Sequence, residues 1–66
     1  MARDLSAALR HLNDGQRAAI LLRHQQGMSY AEVARSLGVA EGTAKTMVHR
    51  GVSKLRQLMP EWLDEH

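Results

Sequence analysis

Apolar residues recur along this chain at helical intervals, and capping residues and glycines divide it into four predicted helical segments. The first segment is predicted over roughly residues 4–12, where four apolar residues follow the i, i+3, i+4, i+7 spacing of one helix face: Leu5, Ala8, Leu9 and Leu12. A strand would need apolar residues at alternate positions, and the sequence has no such pattern. The pattern therefore predicts an all-α fold.

The second segment is predicted to begin at Asn13, because asparagine is a good helix N-cap and Gln16, three residues later, can complete a capping box. It should run to about Gln26 and end at Gly27, since glycine readily adopts the left-handed conformation that ends many helices. The apolar run 18–22 covers more than one face of this helix. We therefore expect the second helix to be central and buried on two sides.

The third segment is short and carries a start signal and a stop signal. Ser29 and Glu32 have the spacing of another capping box, and Gly38 should end the helix after about two turns. Its apolar stripe again follows the helical interval: Tyr30, Val33, Ala34 and Leu37.

The fourth segment is the longest, from Glu41 to about Met59, where Pro60 should stop it. Its predicted inward residues are Ala44, Met47, Val48, Leu55 and Leu58. Gly51 lies in the middle of this helix, where glycine costs about 1 kcal/mol relative to alanine. A close helix–helix contact or a slight bend would explain it.

A short helix, a turn of about three residues at 38–40 and a longer helix together predict a helix-turn-helix. Seven residues are small or apolar where two steeply crossing helices require it: Val33, Ala34, Leu37, Gly38, Val39, Ala44 and Met47. The predicted fold is therefore a four-helix unit that contains a helix-turn-helix and has no sheet, although it is otherwise similar to winged-helix proteins.

In a helix-turn-helix the second helix enters the DNA major groove with its N-terminal end first. The residues that should face outward there are Glu41, Gly42, Thr43, Lys45, Thr46, His49 and Arg50. Gly42 would let the protein backbone approach the DNA, and the free amides of the first turn could bind a phosphate. Lys54 and Arg56 lie farther along and would follow the DNA backbone.

The distribution of charged residues along the chain also favours DNA binding by the fourth segment. The net charge is only +2, but residues 61–66 hold three acids and no lysine or arginine, whereas residues 42–60 hold four basic residues and no acid. A basic stripe on one element is the expected footprint of a phosphate-binding face. We divide the chain into a helix-turn-helix DNA-binding domain at 1–60 and an acidic tail at 61–66.

Several other classes of function are disfavoured by composition. The sequence has no cysteine, its four histidines do not cluster at metal-ligand spacing, and no grouping of serine, histidine and aspartate predicts catalysis. No apolar run is long enough for a membrane span, and no secretory signal is present. We therefore expect a cytoplasmic protein that is not an enzyme and binds no metal, cofactor, membrane or small-molecule substrate.

The sequence also resembles a known family, region four of extracytoplasmic-function (ECF) bacterial sigma factors. The resemblance covers roughly residues 5–59, and the segments that carry it are 16–17, 27–34, 37–38, 42–45, 49–50 and 54–56. It implies a domain that recognises the upstream minus-35 promoter element in double-stranded DNA and docks on the beta flap of the RNA polymerase core. An anti-sigma factor is a further partner that the resemblance suggests.

Position by position, the resemblance places Lys45, Thr46 and Arg50 at the groove, and it places Ser29, Tyr30 and Thr43 near phosphates. Ala40 stands where a serine or proline often begins the recognition helix, so capping should be weaker here. The 66 residues include no region two, so we expect either an excised fragment or a domain that works without the rest of a sigma factor.

Two alternatives stay open on the sequence. The output domain of a LuxR-type response regulator shares the four-helix layout, and the pair Lys54-Leu55 fits that family. A sigma-like module that binds an anti-sigma factor would instead use its apolar faces and would bind DNA poorly.

Overall fold

A computed structural model describes residues 5–58 of the chain, with the side chains of 7–58. The described part is all-α and has four helices in the predicted order. They are α1 (Leu5–Leu9), α2 (Asp14–Ile20), which a π-helical turn at Leu21–Gln25 extends, α3 (Tyr30–Leu37) and α4 (Glu41–Leu58). No strand occurs between residues 5 and 58, so the all-α prediction is confirmed. The predicted stop at Pro60 and the acidic tail lie outside the described residues.

Helix α1 is shorter than predicted: it ends at Leu9, whereas the sequence predicted an end at Leu12. The amides of residues 10, 11 and 12 bond to carbonyls three residues back, at 3.0–3.3 Å. Nη1 of Arg17, from α2, donates to the carbonyls of Leu9 at 3.3 Å and Leu12 at 3.2 Å. Since a helix end must find partners for its last carbonyls, this arginine allows α1 to stop early.

Helix α2 begins as predicted. Oδ1 of Asn13 accepts from the amide of Gln16 at 2.8 Å, and the amide of Asn13 donates to Oε1 of Gln16 at 3.4 Å. The segment ends near the predicted place with Gly27 at φ 72°, but its last turn is wider than the regular helix we expected. The amide of Gln26 bonds to the carbonyl of Leu21, five residues back, at 3.1 Å.

The core consists of two aliphatic clusters that share α2 and α4. The first, which we call the helix-turn-helix cluster, comprises Ala19, Val33, Ala34, Ala44 and Val48. The second, the α1 cluster, comprises Ala8, Leu12, Ile20 and Leu55. The neighbouring α2 residues Ala19 and Ile20 serve different clusters, which confirms that α2 is buried on two sides. Val52 packs against both clusters.

The turn between α3 and α4 is tight because Gly38 adopts φ 71°, a left-handed conformation that ends α3 at the position the sequence predicted. The amide of Val39 bonds to the carbonyl of Ala34 at 3.0 Å, which closes the end of α3. Val39 is half-buried against the helix-turn-helix cluster.

Residues along the inner face of α4 agree with the prediction except at its end. Ala44, Val48 and Leu55 are buried, and Met47 is half-buried, but Leu58 is 39% exposed, so its inward assignment was wrong. Leu58 lies one turn beyond Leu55 and belongs to neither cluster. None of the described helices is both long and apolar enough to cross a membrane.

Candidate nucleic-acid interface

The leading end of α4 is open to solvent. The carbonyl of Ala40 accepts from the amide of Ala44 at 3.0 Å, but alanine has no polar side chain with which to cap the first-turn amides. A Cβ atom built on Gly42 would meet nothing within 4 Å. Because uncapped amides at a helix N-terminus attract anions, this end can accept a phosphate.

The outward face of α4 is exposed at every position that the sequence assigned to DNA: Glu41, Gly42, Thr43, Lys45, Thr46, His49, Arg50 and Lys54. The opposite face is held in the core by Ala44, Val48 and Gly51, so the rotation of α4 about its axis is fixed. Among the side chains that the structure describes, neither Lys45 nor Arg50 forms an ion pair. Their charges are therefore available to a nucleic acid.

Ser29 has a structural task at the start of α3. Its Oγ accepts from the amide of Glu32 at 3.1 Å, and its amide donates to Oε1 of Glu32 at 2.8 Å. Hydrogen bonds from the backbone and the side chain of Ser29 lower the pKa of the Glu32 carboxyl, and the charge of Arg35 contributes less. The groups of Ser29 thus already serve the helix, and its contact with a phosphate stays a prediction.

Tyr30 connects α3 with α4. Its hydroxyl and Nε2 of His49 are 3.3 Å apart, within hydrogen-bonding distance. The two rings meet edge to face, with centroids 6.0 Å apart and an interplanar angle of 82°. The structure therefore brings together two predicted site residues that are 19 positions apart.

Arg23 is a member of this group that the sequence analysis missed. Its guanidinium carbon lies 4.6 Å from the centroid of the Tyr30 ring, a cation–π distance, and its Nη1 donates to the carbonyl of Met28 at 2.7 Å. Helical periodicity could not reveal this contact, because the turn at Gly27 interrupts it. The one signal in the sequence is a basic and an aromatic residue on either side of that turn.

The described residues offer no metal centre: between residues 7 and 58 no three histidine, aspartate or glutamate side chains come together. The chemistry of this face is that of hydroxyls, cations and uncapped amides, together with the carboxylate of Glu41. Such groups bind phosphates and the edges of bases.

Comparison with protein families matches residues 2–55 to the family described as Sigma-70, region 4. The chain is 44% identical over 54 residues to the ECF RNA polymerase sigma factor BldN of Streptomyces coelicolor, covering 82% of this chain and 20% of that protein. It is 40% identical over 62 residues to the ECF sigma factor SigE of Mycolicibacterium smegmatis, covering 94% of the chain and 24% of SigE. CarQ, an RNA polymerase sigma factor of Myxococcus xanthus, is 36% identical over 61 residues, 92% of the chain and 35% of CarQ.

The chain thus spans between a fifth and about a third of the length of these relatives. The matched residues include all of α3 and the outward face of α4. Of the two DNA-binding classes that the sequence left open, the comparisons favour the sigma class over the LuxR class.

Proposed function

Because this chain belongs to the sigma-70 region 4 family, in the group of ECF sigma factors, we propose that it binds double-stranded DNA sequence-specifically in transcription initiation. The observation that carries the proposal is the exposed leading end of α4, whose opposite face is buried. On this proposal the DNA is the minus-35 element of a promoter, and the domain docks on the beta flap of the RNA polymerase core.

The proposal divides the exposed residues into two groups. Long cationic side chains can reach guanine acceptors in the major groove, so Lys45 and Arg50 are the candidates for reading bases, together with Thr46. Thr43, Tyr30 and Lys54 are the candidates for contacts with phosphates, which position the protein but carry no sequence information. His49 lies on the same exposed face and can contribute to either task, whereas the carboxylate of Glu41 repels phosphate and can only accept a hydrogen bond from a base, such as that from N4 of cytosine.

The protein partners form a separate part of the proposal. The names of the relatives identify them as RNA polymerase sigma factors, which supports polymerase as a partner of this chain. An anti-sigma factor is a further candidate, and it would compete with polymerase or DNA for the domain. Binding of core polymerase and of DNA should therefore be measured separately.

The test of DNA recognition is selection of bound duplexes from a random library with the 66-residue chain. We expect one sequence motif to be enriched, and binding of that duplex to weaken steeply with added salt, because phosphate contacts release counterions. If no motif emerges while core polymerase still binds, the domain is a protein-binding module and the DNA-reading proposal is wrong.

Replacing Arg50 by alanine tests the proposed docking face. The loss of a base contact should weaken binding by about 1–3 kcal/mol and relax preference at one base pair, whereas loss of a phosphate contact would weaken all duplexes alike. Arg10→Ala is the matched control, since it also removes an exposed arginine. Arg10 directly follows α1, beside the α1 cluster and not on the outward face of α4. Helicity should be unchanged in both, and equal affinities of the two variants would contradict the assignment.

A further inference from the structure

Arg23, Tyr30 and His49 form a row that crosses three elements: the π-helical turn, the start of α3 and the middle of α4. We propose that Arg23 is a positioning residue for DNA binding, which acts through Tyr30 to hold His49 at the seam between α3 and α4. This inference rests on the proposed function, because it concerns how the DNA-facing side chains are held.

Arg23 is suited to this task because its side chain contacts a backbone carbonyl and an aromatic ring at the same time. Its Nη1 donates to the carbonyl of Met28, two residues before α3, while the guanidinium lies against the Tyr30 ring. The planar guanidinium can donate a hydrogen bond and stack on an aromatic face at the same time, which a lysine ammonium cannot do. The turn at Gly27 and the first residue of α3 are thus fixed to the same side chain.

The Tyr30 ring, held by Arg23, in turn holds a side chain of α4. The Tyr30 hydroxyl reaches Nε2 of His49, and the two rings meet at a right angle, so a change in the Tyr30 rotamer would release His49. His49 precedes Arg50 on the exposed face of α4. An exposed hydrogen bond of this length is weak on its own, and the position of His49 therefore depends on Arg23 behind the ring.

Arg23 could instead contact a phosphate directly. Two observations argue against this: the side chain is half-buried, and its Nη1 already donates to a backbone carbonyl at 2.7 Å. A direct contact and a positioning role predict different salt dependences, because only a residue that touches a phosphate adds to the number of counterions released.

The test is a double-mutant cycle on affinity for the duplex recovered by selection, using Arg23→Met, Tyr30→Phe and the double variant. We expect Arg23→Met alone to weaken binding about three- to tenfold, which lies within the roughly two- to thirtyfold changes produced by residues that do not touch the ligand. In the Tyr30→Phe background, where the hydroxyl is already lost, the same change should cost less than about twofold. The slope of log K against log salt should be unchanged by Arg23→Met.

Arg17→Met is the matched control, since Arg17 also donates to backbone carbonyls, at the end of α1. It should lower the melting temperature but leave the affinity of the folded protein within about twofold of the wild type, because a structural arginine away from the interface acts on stability alone. In the free protein, the nuclear Overhauser contact between the rings of Tyr30 and His49 should disappear in Arg23→Met and persist in Arg17→Met.

Each contrary outcome has its own meaning. A salt slope that falls by about 0.9 in Arg23→Met would make Arg23 a phosphate contact. Additive effects in the cycle, or a retained ring contact with unchanged affinity, would reduce it to a structural residue. If the wild type selects a duplex but the variants give one of these contrary outcomes, only the positioning role of Arg23 is wrong. If the wild type selects no duplex, the proposed DNA-binding function is wrong as well.

Discussion

At the scale of single residues, two glycines on α4 have opposite surroundings. A Cβ atom at Gly51 would lie 3.0 Å from Cγ1 of Ile20 and closer still to its Cδ1, whereas one at Gly42 would meet nothing within 4 Å. Glycine in a helix costs about 0.5–1 kcal/mol relative to alanine, so each position needs a reason. At Gly51 the reason is the close approach of α2 and α4. At Gly42 the protein itself supplies none, which agrees with the proposed approach of DNA.

Gly42→Ala should therefore separate stability from binding. We expect the free energy of unfolding to rise by up to about 1 kcal/mol through helix propensity, while duplex affinity falls because the new methyl group faces the DNA backbone. Urea unfolding and fluorescence anisotropy measure the two effects. Gln57→Ala is the control, since it also raises helix propensity in α4, but at an exposed position near the far end of the helix from Gly42. Wild-type affinity in Gly42→Ala would contradict a backbone approach there.

Gly51→Ala should destabilise the protein in spite of its gain in helix propensity. The new methyl group would overlap Ile20, which is 2% exposed and has little room to move, and overpacking of this kind costs about 1–3 kcal/mol. In an Ile20→Val background the clashing Cδ1 atom is gone, so the same substitution should cost less. Urea denaturation of the four proteins gives the comparison, and an equal cost in both backgrounds would refute the close-contact explanation.

At the scale of elements, α2 and α3 begin with the same device, but only one of the two can titrate. The box at α2 pairs Asn13 with the neutral Gln16, and the box at α3 pairs Ser29 with the carboxylate of Glu32. Hydrogen bonds from the Ser29 backbone and side chain lower the pKa of Glu32 below the ordinary value for a glutamate. Acid should therefore weaken the capping box of α3 and leave the capping box of α2 intact.

The sign of this effect follows from linkage. Because the folded state lowers the pKa of Glu32, the stabilisation is complete above the unfolded pKa and is lost as pH falls through the folded one. We expect the melting temperature of Glu32→Gln to fall less than that of the wild type between neutral pH and acid below the ordinary glutamate range. Glu41→Gln, an acid in the first turn of α4, is the control. Identical acid sensitivity of wild type and Glu32→Gln would count against the carboxylate cap.

The range over which each contact acts along the chain explains which elements the sequence could and could not predict. Helix starts depend on side chains three residues apart, so Asn13 and Ser29 were identified from the sequence alone. The end of α1 depends on Arg17 reaching back from another helix, and no local pattern encodes that contact. The outward face of α4 followed from its inward face through the helical period, but the contact of Arg23 with Tyr30 depends on the path of a turn.

At the scale of the whole molecule, the described core is small and its two clusters are not independent. Both are aliphatic, and α2 and α4 contribute residues to each. A chain of this size has a stability of only about 3–10 kcal/mol at the usual 0.05–0.15 kcal/mol per residue. Loss of packing in the α1 cluster should therefore also destabilise the helix-turn-helix, although no α1 residue belongs to the helix-turn-helix cluster.

Leu55→Ala tests this coupling. Leu55 is fully buried in the α1 cluster, and its truncation should cost about 2–5 kcal/mol, a large part of the whole stability. Since α4 is one continuous helix, we expect hydrogen-exchange protection at Val33 and Val48 to fall together with that at Ile20. Leu58→Ala, at an exposed position of the same helix, should change protection little. If Val33 stayed protected while Ile20 opened, the helix-turn-helix would be a separate folding unit, and α1 could then vary without loss of the surface assigned to DNA.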